Sequence, residues 1–543
     1  MCGDNIIFTL LNDKDKRKDH VEARKDLQAM GIRRDLWPLE DGKKCPAALF
    51  TMTKEEINLM LNILKDVKVP DGYSSNISRC IDTQQNKIYG LKSHDSHILM
   101  EHLLPLSIRS VLHVQVSTIL IDVCSFFKSL CAKVLDPKDL DRLNERTKLT
   151  LCHMEMLFPP SFFTVMVHLM IHLVDEAKLG GPVHYRWMYP IERFLGKLKS
   201  FVHNRAEPEG SIAEGWRSEE MLTFCSRYLE NEIETRFNRV GRVDDEPLPS
   251  VSTLFPCIGK SVGGATNVNL TSIEKLQAHR HVLINCEEAQ RFIEEFRLIT
   301  KRRLRDRTRS SSEIEKAVHQ GIVDWFYNRI TCDSQESHSN DLRALSRGPL
   351  QQARRFNAYN VNGYKFRTLQ REEMLKTQNS GVFCSLGTKS YASSSDNRPR
   401  EGLVPYYGKI VDIIELNYYG RFVVTLFKCQ WANTTNYRHV KKDALGFTSI
   451  NFSDLIHTGE REDDEPYIEA SQAQLIYFVE EKTDKGWCIP VHIKPRDFYD
   501  MGEDAEEVIY ESESFQQQDL AMGWPEDNMD VHLSRPGLDV EFD

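Results

Sequence analysis

The sequence predicts a multidomain α+β protein, mostly α-helical in its N-terminal two thirds, followed by a small antiparallel β domain and a disordered acidic tail. Three observations predict it. Apolar residues recur at helical spacing through most of the first 330 positions. After residue 355 the apolar runs become short, β-branched and aromatic, punctuated by Asn-Gly, Gly and polar turns. From 501 onward, 13 acidic residues stand against one basic residue, Arg535.

Taken in order, residues 1–96 read as a helical segment. Within it "TMTKEEINLMLNILKDVKVPDGYSSN" opens with a capping-box pattern, Thr53 and Glu56, and Pro70 and Gly72 stop the helix. Residues 97–240 read as an all-α domain of five or six helices, broken at Pro137, Pro159-Pro160 and Gly180-Gly181-Pro182. Residues 241–350 form a linker and basic helical region. There, 241–272 is rich in Gly, Pro and Ser and reads as a linker or surface loop, helical character returns from 273 to about 330, and 331–350 is a polar connector. Residues 351–500 are the β-rich domain, with "NAYNVNGYKFRT" and "YYGKIVDIIELNYYGRFVVTLFKCQWAN" as its clearest strand-and-turn runs, and 501–543 is the tail. No internal repeat is visible.

A chain of 543 residues accommodates two to four domains with sizeable cores. Its 70 basic and 80 acidic residues leave a formal net charge of -10, so any nucleic-acid surface must be local. The 13 cysteines are scattered and form no C-x-x-C pair, which describes reduced thiols rather than a disulfide framework or a zinc knuckle. The first residues turn charged after a very short apolar run, unlike a signal peptide, so the expected location is the nucleus or the cytosol. Two apolar stretches, 111–130 and 158–173, approach membrane-spanning length. They carry His113, Gln115, Asp122, His168 and His172, and read as buried helices of a core with no membrane partner.

Four constellations bear chemistry. In "GPVHYRWMYPIERFLGKLKSFVHNRAEPEGSIAE" (181–214), a helix starting near Pro190 puts Glu192, Gly196, Lys199 and His203 on one face. A carboxylate for a metal and a lysine for a phosphate suit phosphoryl transfer, although the pattern alone favours an amphipathic helix with solvated charges. "KSHDSHILMEH" offers His94, Asp95, His97, Glu101 and His102. No single register turns all of them inward, so a helix start with Asp95 or Ser96 as N-cap is the favoured reading over a zinc site. His168-x-x-x-His172, with Asp175 one turn on, lacks the catalytic glutamate of zinc proteases and reads as core or interface histidines. The run "KRRLRDRTR" (301–309) suits a DNA backbone, a nuclear import signal or the solvated face of a charged helix. No Gly-rich phosphate loop, nucleophile elbow or kinase signature is present.

Several long stretches in order, "DLQAMGIRRDLWP", "PDGYSSNISRCID", "GLKSHDSHILMEHLLPLSIR", the 181–214 segment and "TFCSRYLENEIETRFNR", resemble the C-terminal half of plant CACTA (En/Spm-type) transposases. "AHRHVLINCEEAQRF", "NVNGYKFRT", "GFTSINFS" and "ASQAQLIYFVEE" resemble the β-rich module that follows it in those elements; both parts are domains of unknown function. The similarity runs from about residue 2 to 502. It implies a ribonuclease-H-like core, of which 1–96 would be the C-terminal remnant, using two aspartates, a glutamate and two divalent metals to cut and join DNA.

Tyr185, Glu192 and Lys199 match the Tyr, Glu and Lys spacing of the Y-R-E-K signature of some insertion-sequence transposases, but Met188 stands at the arginine position and Arg186 lies two residues earlier. On this resemblance Glu192 is the third catalytic carboxylate and a metal ligand and Lys199 a DNA-phosphate contact; Arg186 and Lys197 beside them, and Lys301, Arg302, Arg303 and Arg305 of the basic run, are further candidate DNA contacts. In the family both aspartates precede the residues matching "CGDNIIFTLL", so autonomous cleavage is not expected. No cofactor is expected for this chain alone, with Mg2+ or Mn2+ only where a complete core is present. The expected partners are DNA element ends and a full-length transposase or another element-encoded protein. Two rivals remain: a metal-dependent nuclease built on Asp95, Asp175 and Glu192, and a chromatin or protein interaction scaffold centred on the β-rich domain.

Overall fold

The computed structural model describes residues 2–39, 44–74, 76–226, 228, 254–255, 258–304, 311–332, 338–390, 400–434, 438–493 and 533–541. The chain divides into two compact units, one of Met1–Leu61, Asp82–Gly241 and Pro525–Asp543, the other of Asn62–Ile81 and Arg242–Trp524. The first is helical and the second holds the antiparallel sheet together with the helices of the 273–332 region. Among the described residues, no helix is long and apolar enough to cross a membrane.

In the helical unit, Val114–Leu130 buries Val116, Ile119, Leu120, Val123 and Cys124, the i, i+3, i+4 stripe its apolar run foretells. Pro137–Leu157 follows, with Pro137 in the first turn and Asp136 as N-cap, and Arg146 on it donates to Asp122 at 2.6 Å. The stretch 158–173 departs from the core reading. Phe158 and Phe162 are buried and stack in a row with Phe50, but His168 and His172 are exposed. Met170–Gly180 buries Met170, Val174 and Ala177 and leaves His172 outside that stripe, while His168 ends the preceding short helix Val165–His168.

The capping box forms as read. Thr53 Oγ1 accepts from the Glu56 N–H at 3.2 Å and Glu56 Oε2 accepts from the Thr53 N–H at 2.7 Å. Glu56 also receives both Nη atoms of Arg535, at 2.7 and 2.8 Å. Thr53→Ala is expected to destabilise the helical unit by about 1 kcal/mol, seen as a lower urea midpoint at unchanged slope.

Residues 494–532, most of the expected tail, lie outside the described residues. Ser534–Glu541 is a strand, paired antiparallel with Lys44–Ala48 in a segment that reads as helical, Lys44 opposite Glu541 and Cys45 opposite Val540. Asp35 accepts from the Leu533 and Ser534 N–H groups, and the Arg535 fork on Glu56 supplies the anchor that a count of acidic residues hides.

The second unit is organised by one hairpin, Arg400–Tyr418 against Phe422–Ala432, turning at Tyr419 and Gly420, both at positive φ. The sheet runs Val440–Lys442, Thr448–Asn451, Trp487–His492, Gln474–Glu480, Gly381–Ser390, the two hairpin strands, then Leu455–Ile456, with every pair antiparallel. Apolar residues of the hairpin are buried on both of its faces. Ile414, Leu416, Val424 and Leu426 join the core with the helices Ser272–Asn285, Gln290–Leu304 and Ser311–Cys332. Ile410, Ile413, Phe427, Cys429 and Trp431 enter a second core with Phe356, Tyr359 and Phe366.

Asn362 and Gly363, both at positive φ, make the Ala358–Val361 to Tyr364–Arg367 turn that the Asn-Gly pair announces. Two connectors turn out to be ordered. In the expected 241–272 linker, Thr266–Asn269 pairs with Gln352–Phe356 and Lys260–Ser261 with Ala358–Val361. In the expected 331–350 connector, Asn340–Ser346 is a helix capped by Ser339, with Leu342 and Leu345 buried. Their polar composition conceals edge strands and a single buried helical stripe.

Candidate functional site

The "KSHDSHILMEH" residues open a composite helix, Ser93–Ile98, a wide π-helical turn over Leu99–Leu103, then Leu104–Ile108. Lys92, not Asp95 or Ser96, is the N-cap. Asp95 sits buried at the third helical position, where its carboxylate accepts from the Lys92 N–H at 3.2 Å. Leu99, Met100, His102 and Leu103 turn into the core. Burial holds the His102 imidazole neutral, with its pKa down at about 3.

His97 and Glu101 stay at the rim, His97 Nδ1 lying 3.2 Å from Glu101 Oε1. Cys131 reaches the same point from the C-terminal end of Val114–Leu130, its N–H bonded to the Phe127 carbonyl at 3.0 Å. Burial, reinforced by hydrogen bonding and the charge of Glu101, pushes the Cys131 thiol up to about 12. Donor atoms of His97, Glu101 and Cys131 all lie within 4.8 Å of one another. Cys131 escapes sequence reading because thirty residues separate it from Glu101 and no motif links them.

The 181–214 segment starts where Gly181, at φ +72, ends Met170–Gly180. Arg186 Nη2 donates to the Gly181 carbonyl at 3.0 Å, and a Cβ on Gly180 would lie 2.8 Å from the guanidinium carbon, so this arginine clamps the turn. The Trp187 ring lies 5.3 Å from His97. Tyr189–Ser200 is the helix expected near Pro190. It packs against Pro208–Ser226, where Gly215 leaves room for Phe201.

Glu192 is exposed in the first turn and Lys199 exposed in the last. Lys197 pairs with Glu219 at 3.1 Å and lies over the Trp216 ring at 5.3 Å. Ile191, Phe194 and Leu195 are about half exposed, so the apolar stripe that periodicity predicts faces solvent in part. His203 bonds the Phe201 carbonyl instead of joining Glu192.

The three carboxylates of the nuclease reading are not brought together. Asp95 accepts from the Lys92 N–H in the first turn of its helix, Asp175 lies 3.6 Å from Lys178 Nζ, and Glu192 is exposed on another helix. Among the described residues, the His97, Glu101 and Cys131 group is the cluster of three donors with metal-ligand spacing. A two-metal Mg2+ or Mn2+ site needs clustered oxygen donors, and among the described residues Glu192 belongs to no group of three donors.

In the second unit, Gln290–Leu304 buries Phe292, Ile293, Phe296 and Thr300 and ends on Lys301, Arg302 and Arg303, all exposed. Cations at a helix C-terminus complement the carbonyl end of its dipole while leaving their charge to solvent. Arg305 and the rest of the basic run to 309 lie outside the described residues.

Comparison with known families gives two matches, each to a model described as a domain of unknown function: DUF4218 over residues 130–244 and DUF4216 over 414–490. The chain carries a DUF4218 and a DUF4216 domain. Both are typical of plant transposase-like proteins. The DUF4218 domain contains Cys131, Arg186, Glu192, Lys197 and Lys199, and the DUF4216 domain spans the Phe422–Ala432 strand and the sheet out to Pro490. No curated protein and no solved structure matches the chain.

Proposed function

We propose that this is a CACTA (En/Spm)-type transposase-derived protein of the plant nucleus that binds DNA ends or another transposase subunit. The observation that carries the reading is the order of a helical DUF4218 domain and a β-rich DUF4216 domain within one chain whose quoted motifs resemble that family over about residues 2–502. Binding rather than cleavage fits the exposed residues. Lys199 and the Lys301, Arg302 and Arg303 cluster offer charge to a phosphate backbone, while Ile191, Phe194 and Leu195 offer apolar surface to a protein.

The test is a mobility shift on element-end DNA at low salt, alongside co-purification with a full-length transposase. A shift or an association supports the reading, and absence of both overturns it. Charge reversal at K301E, R302E and R303E is expected to flatten the dependence of log K on log salt by about 2–3, if each cation meets one phosphate. An unchanged slope would remove this cluster from the DNA interface.

A further inference from the structure

The donor group on the π-helical turn belongs to neither the DNA-binding reading nor the three-carboxylate scheme. Its chemistry is specific. An imidazole nitrogen, a carboxylate oxygen and a thiol sulfur make the mixed set that zinc accepts, whereas Mg2+, Mn2+ and Ca2+ favour oxygen alone.

We propose that His97, Glu101 and Cys131 bind one Zn2+ ion, with a water molecule as fourth ligand. At tetrahedral zinc, with bonds of about 2.0–2.3 Å, neighbouring donors stand about 3.3–3.8 Å apart. His97 and Glu101 stand just inside that spacing at 3.2 Å, and all three donors fall within 4.8 Å, so small side-chain rotations close the set.

The backbone under the donors is fixed. Leu99, Leu103 and Leu104 are buried beneath the two helical ligands, and the third closes the last turn of Val114–Leu130. A π turn inserted into an α-helix is a local irregularity that commonly marks a functional position. Here it carries Glu101 and begins two residues after His97, the residue whose ring nitrogen Glu101 meets. The side chains of His97 and Glu101 are 31% and 15% exposed, which admits an ion and leaves one coordination position to solvent.

The ion also has something to hold. Coordination fixes the His97 ring, against which Trp187 packs, and Trp187 sits two residues before the helix that carries Glu192, Lys197 and Lys199. Zinc would order the entry to that helix whatever the chain binds, so the proposal stands apart from the DNA reading.

The experiment takes the full-length chain, reduced, stripped with chelator and returned to Zn2+, and counts bound metal by mass spectrometry while a chromophoric indicator competes for it. One tight equivalent is expected. Cobalt in place of zinc is expected to show tetrahedral d–d bands and a thiolate-to-metal charge-transfer band that Cys131→Ser abolishes.

His97→Ala, Glu101→Gln and Cys131→Ser should each weaken zinc by about 100-fold or more, while the double variant His168→Ala with His172→Ala should leave affinity unchanged. Circular dichroism of the chelated variants checks that the folds match. A chain retaining no tight zinc overturns the proposal, as does one whose zinc survives His97→Ala combined with Cys131→Ser.

Discussion

Asp19→Ala is expected to destabilise the helical unit by about 3–5 kcal/mol, among the largest single-residue effects in the protein. Arg24 is 1% exposed and Asp19 7%, and the carboxylate takes both Nε and Nη2 of the guanidinium at 2.6 and 2.7 Å. The remaining Arg24 contact is a 3.4 Å bond to the Leu36 carbonyl, too weak to replace a counter-charge. Removing the carboxylate strands a guanidinium in the core, and its desolvation penalty is then uncompensated. Replacing both partners with apolar residues, Asp19→Leu with Arg24→Met, should restore most of the loss. Hydrogen exchange resolved by peptide is the measurement, since a chain of two units need not unfold in one step. Faster exchange throughout 2–39 in the single variant and recovery in the double one is the expected pattern; equal exchange in all three would show the pair is not buried.

Phe427→Ala should destabilise the sheet unit by about 3–5 kcal/mol. Phe427 is fully buried, its ring 5.0 Å from Phe366 and 6.2 Å from Tyr359, at the centre of the core between the long hairpin and the Asn-Gly hairpin. Truncation leaves a cavity that neighbours held by strand pairing on several sides cannot close. Phe427→Leu retains most of the volume and should cost less than about 1.5 kcal/mol. Protection lost across 358–367 and 422–432 in the alanine variant, with Gln290–Leu304 less affected, would locate the cavity. A uniform change below 1 kcal/mol would mean the core is packed otherwise.

Local chemistry is what the sequence revealed well. Thr53 with Glu56, and Asn362 with Gly363, are pairs whose side chains or φ preferences act within three residues, and each forms as read. The helix from Tyr189 to Ser200, the helical first part and the β-rich last part likewise follow from periodicity.

What stayed hidden depends on partners far along the chain. Lys260–Ser261 and Thr266–Asn269 become strands because Ala358–Val361 and Gln352–Phe356 offer them edges. His172 looks like a core residue until the stripe of Met170, Val174 and Ala177 settles which side is inward. At the candidate site, Glu192 and Lys199 lie exposed on one predicted helix, whereas Arg186 and Lys197, expected on DNA, are engaged with Gly181 and Glu219. Cys131 meets His97 and Glu101 across thirty residues of chain, which no short pattern encodes.

The Lys44–Ala48 strand finds its mate at Ser534–Glu541, so the helical unit is written in separate pieces of the gene, with the sheet unit's sequence between them. A ribosome adding about 5–20 residues per second passes residue 241 and then needs on the order of 15–60 s to reach 534. Throughout that interval the early strand lacks its partner strand, and the Asp35 carboxylate and the Glu56 carboxylate wait for donors not yet made. The inserted unit can mature first on the nascent chain. The helical unit closes last, and an early stop codon anywhere after 241 would leave it with an exposed, sticky strand edge.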